Sequence, residues 1–487
     1  MKTTIAVLNK KGDDATSAVI AALRSLSLEN SAELGLASPS ALTTGESIES
    51  LYTKSISSPV IVGYAFSKNL PQSKPLLARL ENATLVFEGR MYSATPRNPV
   101  AKTIAKNLQQ SGYRALEVLL EKAEGDFSLI LTEPETIIAA RDSVGVQPMY
   151  YAENRLIAAL ASNRKALWAL GIERTQSFPP GNIAYITAKD IRFKPVKTLV
   201  YSKPKPVTME KAAVTLRKLL ERSVRRRISG FKEISVAFSG GLDSSVIALL
   251  AKRCLANVNL IHVSLKNRPE AEEAKKAADE LKLPMKVYLF EEKDVEKVIS
   301  KVMDLIEEPD PVKASIGVPF YWIAEKTAEA GFKVLLAGQG ADELFGGYQR
   351  YVNDYLRFGG EKVRENMFND VLELHESNIE RDVKICNFHD VELLLPFASF
   401  KIAEFALDLP LELKIEKQAG SLRKLVLRNV AAKMGLPGSI AEKPKRAVQY
   451  STGINAALKK IAKKQKTTTK KYIERLFLRQ HDYAIEK

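Results

Sequence analysis

Apolar and polar positions follow two different rhythms along the chain, and the change falls near residue 200. Before it, short β-branched and apolar runs (Thr3 to Leu8, Val60 to Val62, Ala83 to Phe87, Phe127 to Thr132, Thr136 to Ala140) are separated by turn signals, a spacing that predicts an antiparallel α+β domain. Tyr201-Ser202-Lys203-Pro204-Lys205-Pro206 has two prolines, two lysines and no apolar period, so it reads as a linker. From Met209 onward, amphipathic stretches alternate with apolar ones: helix 209–228, a strand ending at Phe238, helix 244–256, strand 258–265, helix 270–282, strand 285–290 and helix 292–306. This alternation predicts a doubly wound α/β domain, a parallel sheet covered on both faces, whose ligands bind at the carboxyl ends of the strands. Beyond residue 350 the chain is predicted to be mostly helical. The expected domains are 1–200 and 207–487.

One strand end carries most of the chemistry. The apolar run Ile234 to Phe238 leads into Ser239-Gly240-Gly241-Leu242-Asp243-Ser244-Ser245 and then a helical stretch. Adjacent glycines let backbone N–H groups approach an anion, the serines add hydroxyl donors, and a helix starting here directs its free N–H groups and positive dipole end at the same spot. A helix N-cap needs only one such residue, and this run of seven supplies six. No lysine follows the glycines, which sets the loop apart from G-x-x-x-x-G-K-[ST]. Asp243 beside phosphates makes sense if it shares Mg²⁺ with them, because that ion takes one or two carboxylates plus phosphate oxygens. The loop therefore proposes ATP with magnesium.

A second strand, Lys333 to Leu336, runs into Ala337-Gly338-Gln339-Gly340-Ala341-Asp342-Glu343-Leu344-Phe345-Gly346-Gly347-Tyr348. Asp342 and Glu343 open the next helix, where carboxylates gain from its dipole; paired with Asp243 on a neighbouring strand end, Asp342 is also the second carboxylate of a Mg²⁺ clamp. The polar residues between Asn378 and Asp382 and between His389 and Glu392 read either as a buried network or as part of the site. The loop around Glu442 to Ser451 offers Lys443, Lys445 and Arg446 to charge developing on phosphates.

Composition narrows the class without changing this picture. The 487 residues, 45% hydrophobic and 27% charged, exceed one ordinary core. No run of eighteen apolar residues and no signal-peptide pattern is present, so a cytoplasmic protein without membrane contact is expected. Cys254 and Cys386 form no C-x-x-C pair and four histidines are scattered, which leaves no zinc site readable from spacing. Much of the net charge of +16 lies between Lys459 and Lys471. No aromatic-interleaved motif accompanies it, so a solvated or phosphate-attracting tail is expected rather than a nucleic-acid partner.

The Ser239 loop resembles the pyrophosphate loop of the ATP pyrophosphatase group, and the whole set resembles glutamine-hydrolysing asparagine synthetases. The carriers are Ser239 to Ser245, Gly338 to Tyr348 and Glu392-x-x-x-Pro396-Phe397 in the second half, and Ala140 to Tyr151, Ala161 to Leu167 and Pro179-Pro180-Gly181 in the first. The resemblance implies an Ntn-hydrolase-like sandwich in 1–200 and an ATP pyrophosphatase-type sheet with a helical C-terminal part in 207–487. It also implies that Ser239, Gly240, Gly241, Leu242, Asp243, Ser244 and Ser245 hold pyrophosphate, that Phe238, Val263, Ala337 and Gly338 hold the nucleotide, that Asp243 and Asp342 hold magnesium, and that Lys445 meets the developing charge. Asp342, Glu343, Gln339 and Lys445 are then the catalytic candidates.

Several positions depart from that pattern. The family's glutaminase nucleophile is a cysteine exposed by removal of Met; this chain starts Met1-Lys2-Thr3-Thr4 with no cysteine before Cys254, and lysine does not replace a thiolate. Glu88-Gly89-Arg90 stands where Asn-Gly-Glu is expected, and Gln339, Leu394 and Ser399 replace glutamate, arginine and aspartate. The expected function is an AMP-forming ligase that adenylates a carboxylate, with aspartate the leading choice, and passes ammonia to it without a glutaminase of its own. A separate glutaminase and a homodimer are the partners that fit. The alternatives are a β-lactam synthetase-like relative closing another amide and a nucleotide-binding regulator without turnover.

Overall fold

The computed structural model describes residues 2–26, 32–53, 56–68, 74–92, 100–254, 257–443 and 453–481. The chain divides into two compact units, 1–198 together with 478–487, and 199–477. No helix among the described residues is long and apolar enough to cross a membrane.

The first unit has two antiparallel sheets. One has seven strands, in the order Gln176–Ser177, Tyr150–Glu153, Ile157–Ala161, Lys2–Asn9, Val60–Ser67, Ala32–Ala37 and Leu42–Gly45; the other has six, Ile191–Pro195, Asn182–Ile186, Thr136–Arg141, Gly125–Glu133, Thr84–Met91 and Leu76–Arg79. Period-2 alternation gives each sheet two apolar faces. Ala6, Leu8, Val60 and Val62 of the first meet Val86, Ile130, Ile137 and Ala139 of the second in a shared core. On the outer faces, helices Thr16–Ser25 and Arg164–Trp168 cover the first sheet, and Val100–Ser111 and Arg114–Lys122 cover the second. The result is four layers, helix, sheet, sheet, helix.

In the second unit Glu233–Ala237, Asn257–Leu265, Met285–Phe290, Val334–Leu336 and Glu392–Leu394 form one fully parallel sheet. Numbered along the chain, they lie in the order third, second, first, fourth, fifth. The observed helices Met209–Ile228, Leu242–Cys254, Glu270–Leu281 and Glu292–Ile306 fall close to their predicted positions. Ile234, Val236, Val258, Leu260, Val334 and Leu336 point into one core with the first three of these helices. Pro311–Glu329 packs against the second strand and against Glu292–Ile306. The region beyond residue 350 is mostly helical but contributes the fifth strand. Connections reverse direction between the first and fourth strands, which pair through Ser235 with Leu335 and Val236 with Leu336. Their carboxyl ends flank a crevice, the usual ligand position in open parallel sheets.

Candidate active site

The Ser239 loop opens this crevice. Ser239 Oγ lies 3.1 Å from Ser244 Oγ and accepts the Gly241 N–H at 3.3 Å, while Ser244 Oγ donates to the Gly241 carbonyl at 3.2 Å. Gly240 has φ +68°, and a Cβ there would stand 2.8 Å from the Ala274 Cα, so only glycine fits the turn. Helix Leu242–Cys254 follows directly and aims its N-terminal N–H groups into the crevice.

The neighbouring strand end brings the second carboxylate. A Cβ on Gly338 would lie 3.0 Å from Asp243 Cβ, so this glycine lets the two strand ends close up. Lys424 then joins the acids: its Nζ lies 2.6 Å from Asp243 Oδ2 and 2.7 Å from Asp342 Oδ1, with the lysine side chain 2% exposed. The backbone of Lys424 is left-handed, φ +62°, a conformation costing a non-glycine residue about 1–2 kcal/mol and held here by packing around it. On Gly347 a Cβ would fall 1.8 Å from Asp342 Oδ1 and 2.4 Å from Lys424 Cε.

Asp243 and Asp342 therefore converge within reach of a single cation. Among the described residues no group of three or more His, Cys, Asp or Glu side chains is arranged to hold a metal. Two converging carboxylates beside a phosphate-type loop fit Mg²⁺ that arrives with phosphate oxygens; they do not fit a closed protein-only site.

A cavity of about 170 Å³ sits over these groups. Of the residues singled out in the sequence, Phe238, Ser239, Gly241, Leu242, Asp243, Val263, Ala337, Gly338, Gln339 and Asp342 line it. Gly240, Ser244 and Ser245 shape the loop behind. Pro319, Phe320 and Ile323 of helix Pro311–Glu329 supply an apolar wall suited to a purine. Glu343 is placed elsewhere: 4% exposed, it accepts from the Tyr348 hydroxyl at 2.6 Å and the Asn378 amide at 2.8 Å. Burial, then the neighbouring Asp342, raises its pKa. Gln339 donates its amide to Asp382 at 2.5 Å, and Asp382 is buried against Arg381, whose Nε is 2.7 Å away. Burial pushes the Asp382 carboxyl up and Arg381 opposes it. Lys445 lies outside the described residues. Lys443 lines the cavity and pairs with Glu273 at 2.6 Å.

Among the lining residues that carry no signal in the sequence are Lys424, His262 and Ser264. His262 Nδ1 is 2.8 Å from the Phe238 carbonyl; a carbonyl only accepts, so Nδ1 carries the proton and Nε2 presents a lone pair. Burial lowers the pKa of this ring. Nε2 and the Ser264 hydroxyl have no hydrogen-bond partner among the described residues.

In the first unit, the residues at the expected glutaminase positions bind one another. Glu88, 3% exposed, accepts from Thr4 Oγ1 at 2.8 Å and Gln147 Nε2 at 2.6 Å, with Lys2 Nζ 3.3 Å away. Thr3 Oγ1 lies 3.0 Å from Ser162 Oγ and accepts from Asn163 Nδ2 at 3.0 Å.

Comparison with known proteins agrees with both units. The asparagine synthase family matches residues 215–359 and 354–483, and the glutamine amidotransferase domain matches residues 71–169. A Methanocaldococcus jannaschii protein provisionally named asparagine synthetase (glutamine-hydrolysing) 1 is 32% identical over 395 residues, 72% of this chain and 73% of that protein. Asparagine synthetase (glutamine-hydrolysing) 2 of Oryza sativa subsp. japonica is 27% identical over 69% of this chain, and its namesake in Arabidopsis thaliana is 28% identical over the same share. This chain spans 59% and 60% of those two plant proteins' own lengths. Two domain matches in series, and an archaeal relative alike over most of both chains, place the sequence: it belongs to the asparagine synthetase family.

Proposed function

We propose that the second unit is an ATP-dependent ligase that adenylates a carboxylate, with aspartate the leading acceptor, and transfers ammonia to it. The observation that carries this reading is the convergence of Asp243 and Asp342 from adjacent strand ends beside the Ser239 loop. An acceptor carboxylate oxygen bonds to the α-phosphorus as the bond to the β-phosphate breaks and pyrophosphate leaves. Ammonia then bonds to the acyl carbon, AMP departs with the electron pair, and a proton is lost. Loop N–H groups and the helix N-terminus hold the phosphates, Asp243 and Asp342 would hold Mg²⁺, and Lys445 neutralises charge that grows on the leaving group. The metal, when bound, supplies Lewis-acid neutralisation of the pyrophosphate. Gln339, positioned by Asp382, orients the incoming amine.

The first unit, in this reading, retains the glutaminase architecture without the chemistry. Supporting it are the absence of any cysteine before Cys254 and the hydrogen bonds that commit Lys2, Thr4, Glu88 and Gln147 to each other. AMP formation with Mg·ATP and aspartate, comparing ammonium with glutamine, tests both units: ammonium works and glutamine does not. Equal turnover with glutamine overturns the reading of the first unit. Absence of pyrophosphate release with aspartate and with a panel of other acids, despite Mg·ATP binding, overturns the ligase and leaves the regulator.

A second acceptor class has one observation in its favour. Gln339 is uncharged and its amide is spent on Asp382, so it supplies no base for an external amine; an acceptor that carries its own amine, as in a β-lactam synthetase-like closure, needs less from this position. Pyrophosphate release with an amino-terminated diacid but not with aspartate distinguishes the two.

A further inference from the structure

Lys424 stands where a divalent ion would stand. Its ammonium is within 2.7 Å of a carboxylate oxygen on both Asp243 and Asp342, and within 2.7 Å of both oxygens of Asp243. The surroundings are shaped for it: Gly347 leaves room for Lys424 Cε and Asp342 Oδ1 together, and the left-handed backbone at Lys424 directs the side chain from the start of helix Leu425–Lys433. Magnesium requires its oxygens at about 2.0–2.1 Å in near-octahedral geometry. An ammonium held by the same oxygens excludes it, because two cations within a few ångströms of each other repel strongly in a partly buried site.

We propose that Lys424 is a built-in counter-ion that competes with divalent metal for Asp243 and Asp342, so that metal enters only together with a polyphosphate whose oxygens receive the displaced ammonium. The idea rests on the reading of this crevice as a Mg·ATP site. Three consequences are tied together. Without a ligand, one ammonium bridges both acids and offsets one of their two negative charges, with no metal required. Free metal binds weakly. Nucleotide and metal bind in a mutually dependent way, each supplying what the other's arrival displaces.

The test uses Mn²⁺ as a paramagnetic probe, with free and bound ion counted by electron paramagnetic resonance on the full chain and no nucleotide present. Wild type binds Mn²⁺ weakly, and Lys424→Met binds it at least tenfold more tightly. Calorimetric titration with Mg·ATP gives the opposite sign, at least tenfold weaker binding by Lys424→Met than by wild type. General damage to the site weakens both ligands, so only opposite signs support the proposal. Lys424→Arg, which keeps the charge, leaves Mn²⁺ binding as weak as in wild type. An unchanged or lower Mn²⁺ affinity in Lys424→Met overturns the proposal, and so does tight Mn²⁺ binding by wild type alone, a measurement that needs no variant to fold. Failure of wild type to bind Mg·ATP defeats the reading of the site and this inference with it. Retained Mg·ATP binding with no Mn²⁺ gain in Lys424→Met defeats only the inference.

Discussion

Gly347 shows how little space separates the groups of the crevice. Adding one methyl there would force it into Asp342 Oδ1 and Lys424 Cε, and both side chains must leave the positions in which they pair. Gly347→Ala is expected to lower Mg·ATP affinity at least tenfold, about 1.4 kcal/mol or more, in a titration where Gly438→Ala, at a glycine with open space around it and no positive φ, serves as control. A second residue acts on stability. Lys414, 3% exposed, has its pKa pushed by burial from 10.5 to about 7; nearby Arg364 adds to the effect and Asp408 offsets it. The folded value lies below the unfolded one, so between about pH 7 and 10.5 the unfolded chain holds the extra proton and stability rises with pH; below that window the penalty is complete. Lys414→Met is therefore expected to stabilise the protein by about 1–4 kcal/mol at pH 7, with the gain shrinking by pH 10 in urea titrations. The carboxylates Asp243 and Asp342 were legible in the sequence because each sits in a local motif. Lys424 was not. It reaches Asp243 from 181 positions away, and Leu422-Arg423-Lys424-Leu425 has no local pattern that marks a site.

At the scale of elements, the strands and helices from Met209 to Ile306 were legible because their apolar periods are regular and their ends carry turn residues. The fifth strand, Glu392–Leu394, was not: three residues are too few to show a period, and it becomes a strand only by pairing with Val334–Leu336. Helix Pro311–Glu329 is as important to the site as either motif loop, since it brings Phe320 and Ile323 to the cavity. It is anchored by Trp322, 1% exposed, whose ring stacks on Phe290 at 4.0 Å and 3°. Trp322→Ala is expected to destabilise the second unit by about 3–5 kcal/mol, read from chemical denaturation. Glu343 illustrates the limit of motif reading from the other side. Its neighbour Asp342 faces the crevice, and one step along a short helix turns Glu343 toward Tyr348 and Asn378.

Over the whole molecule, each unit has its own apolar cores, which makes two separate unfolding transitions the expected calorimetric result. The proposed Mg·ATP site lies in the second unit. At a hundredfold excess over its dissociation constant, the nucleotide stabilises that unit by about 2.7 kcal/mol and shifts a single transition; a shift of both would show that the units unfold together. The two rhythms that meet near residue 200 correspond to antiparallel sheets before it and a parallel sheet after it.

The order of the five parallel strands has an evolutionary consequence. Where connections reverse between the first and fourth strands, the gap between the phosphate loop and the acidic turn is set by the spacing of two hydrogen-bonded neighbours, about 4.8 Å, and Gly338 keeps it clear of side-chain atoms. The opposite wall is a helix, free to trade residues. A lineage built on this frame can change which base the apolar wall accepts by rewriting Phe320 and Ile323 while the spacing of the two strand ends stays constant.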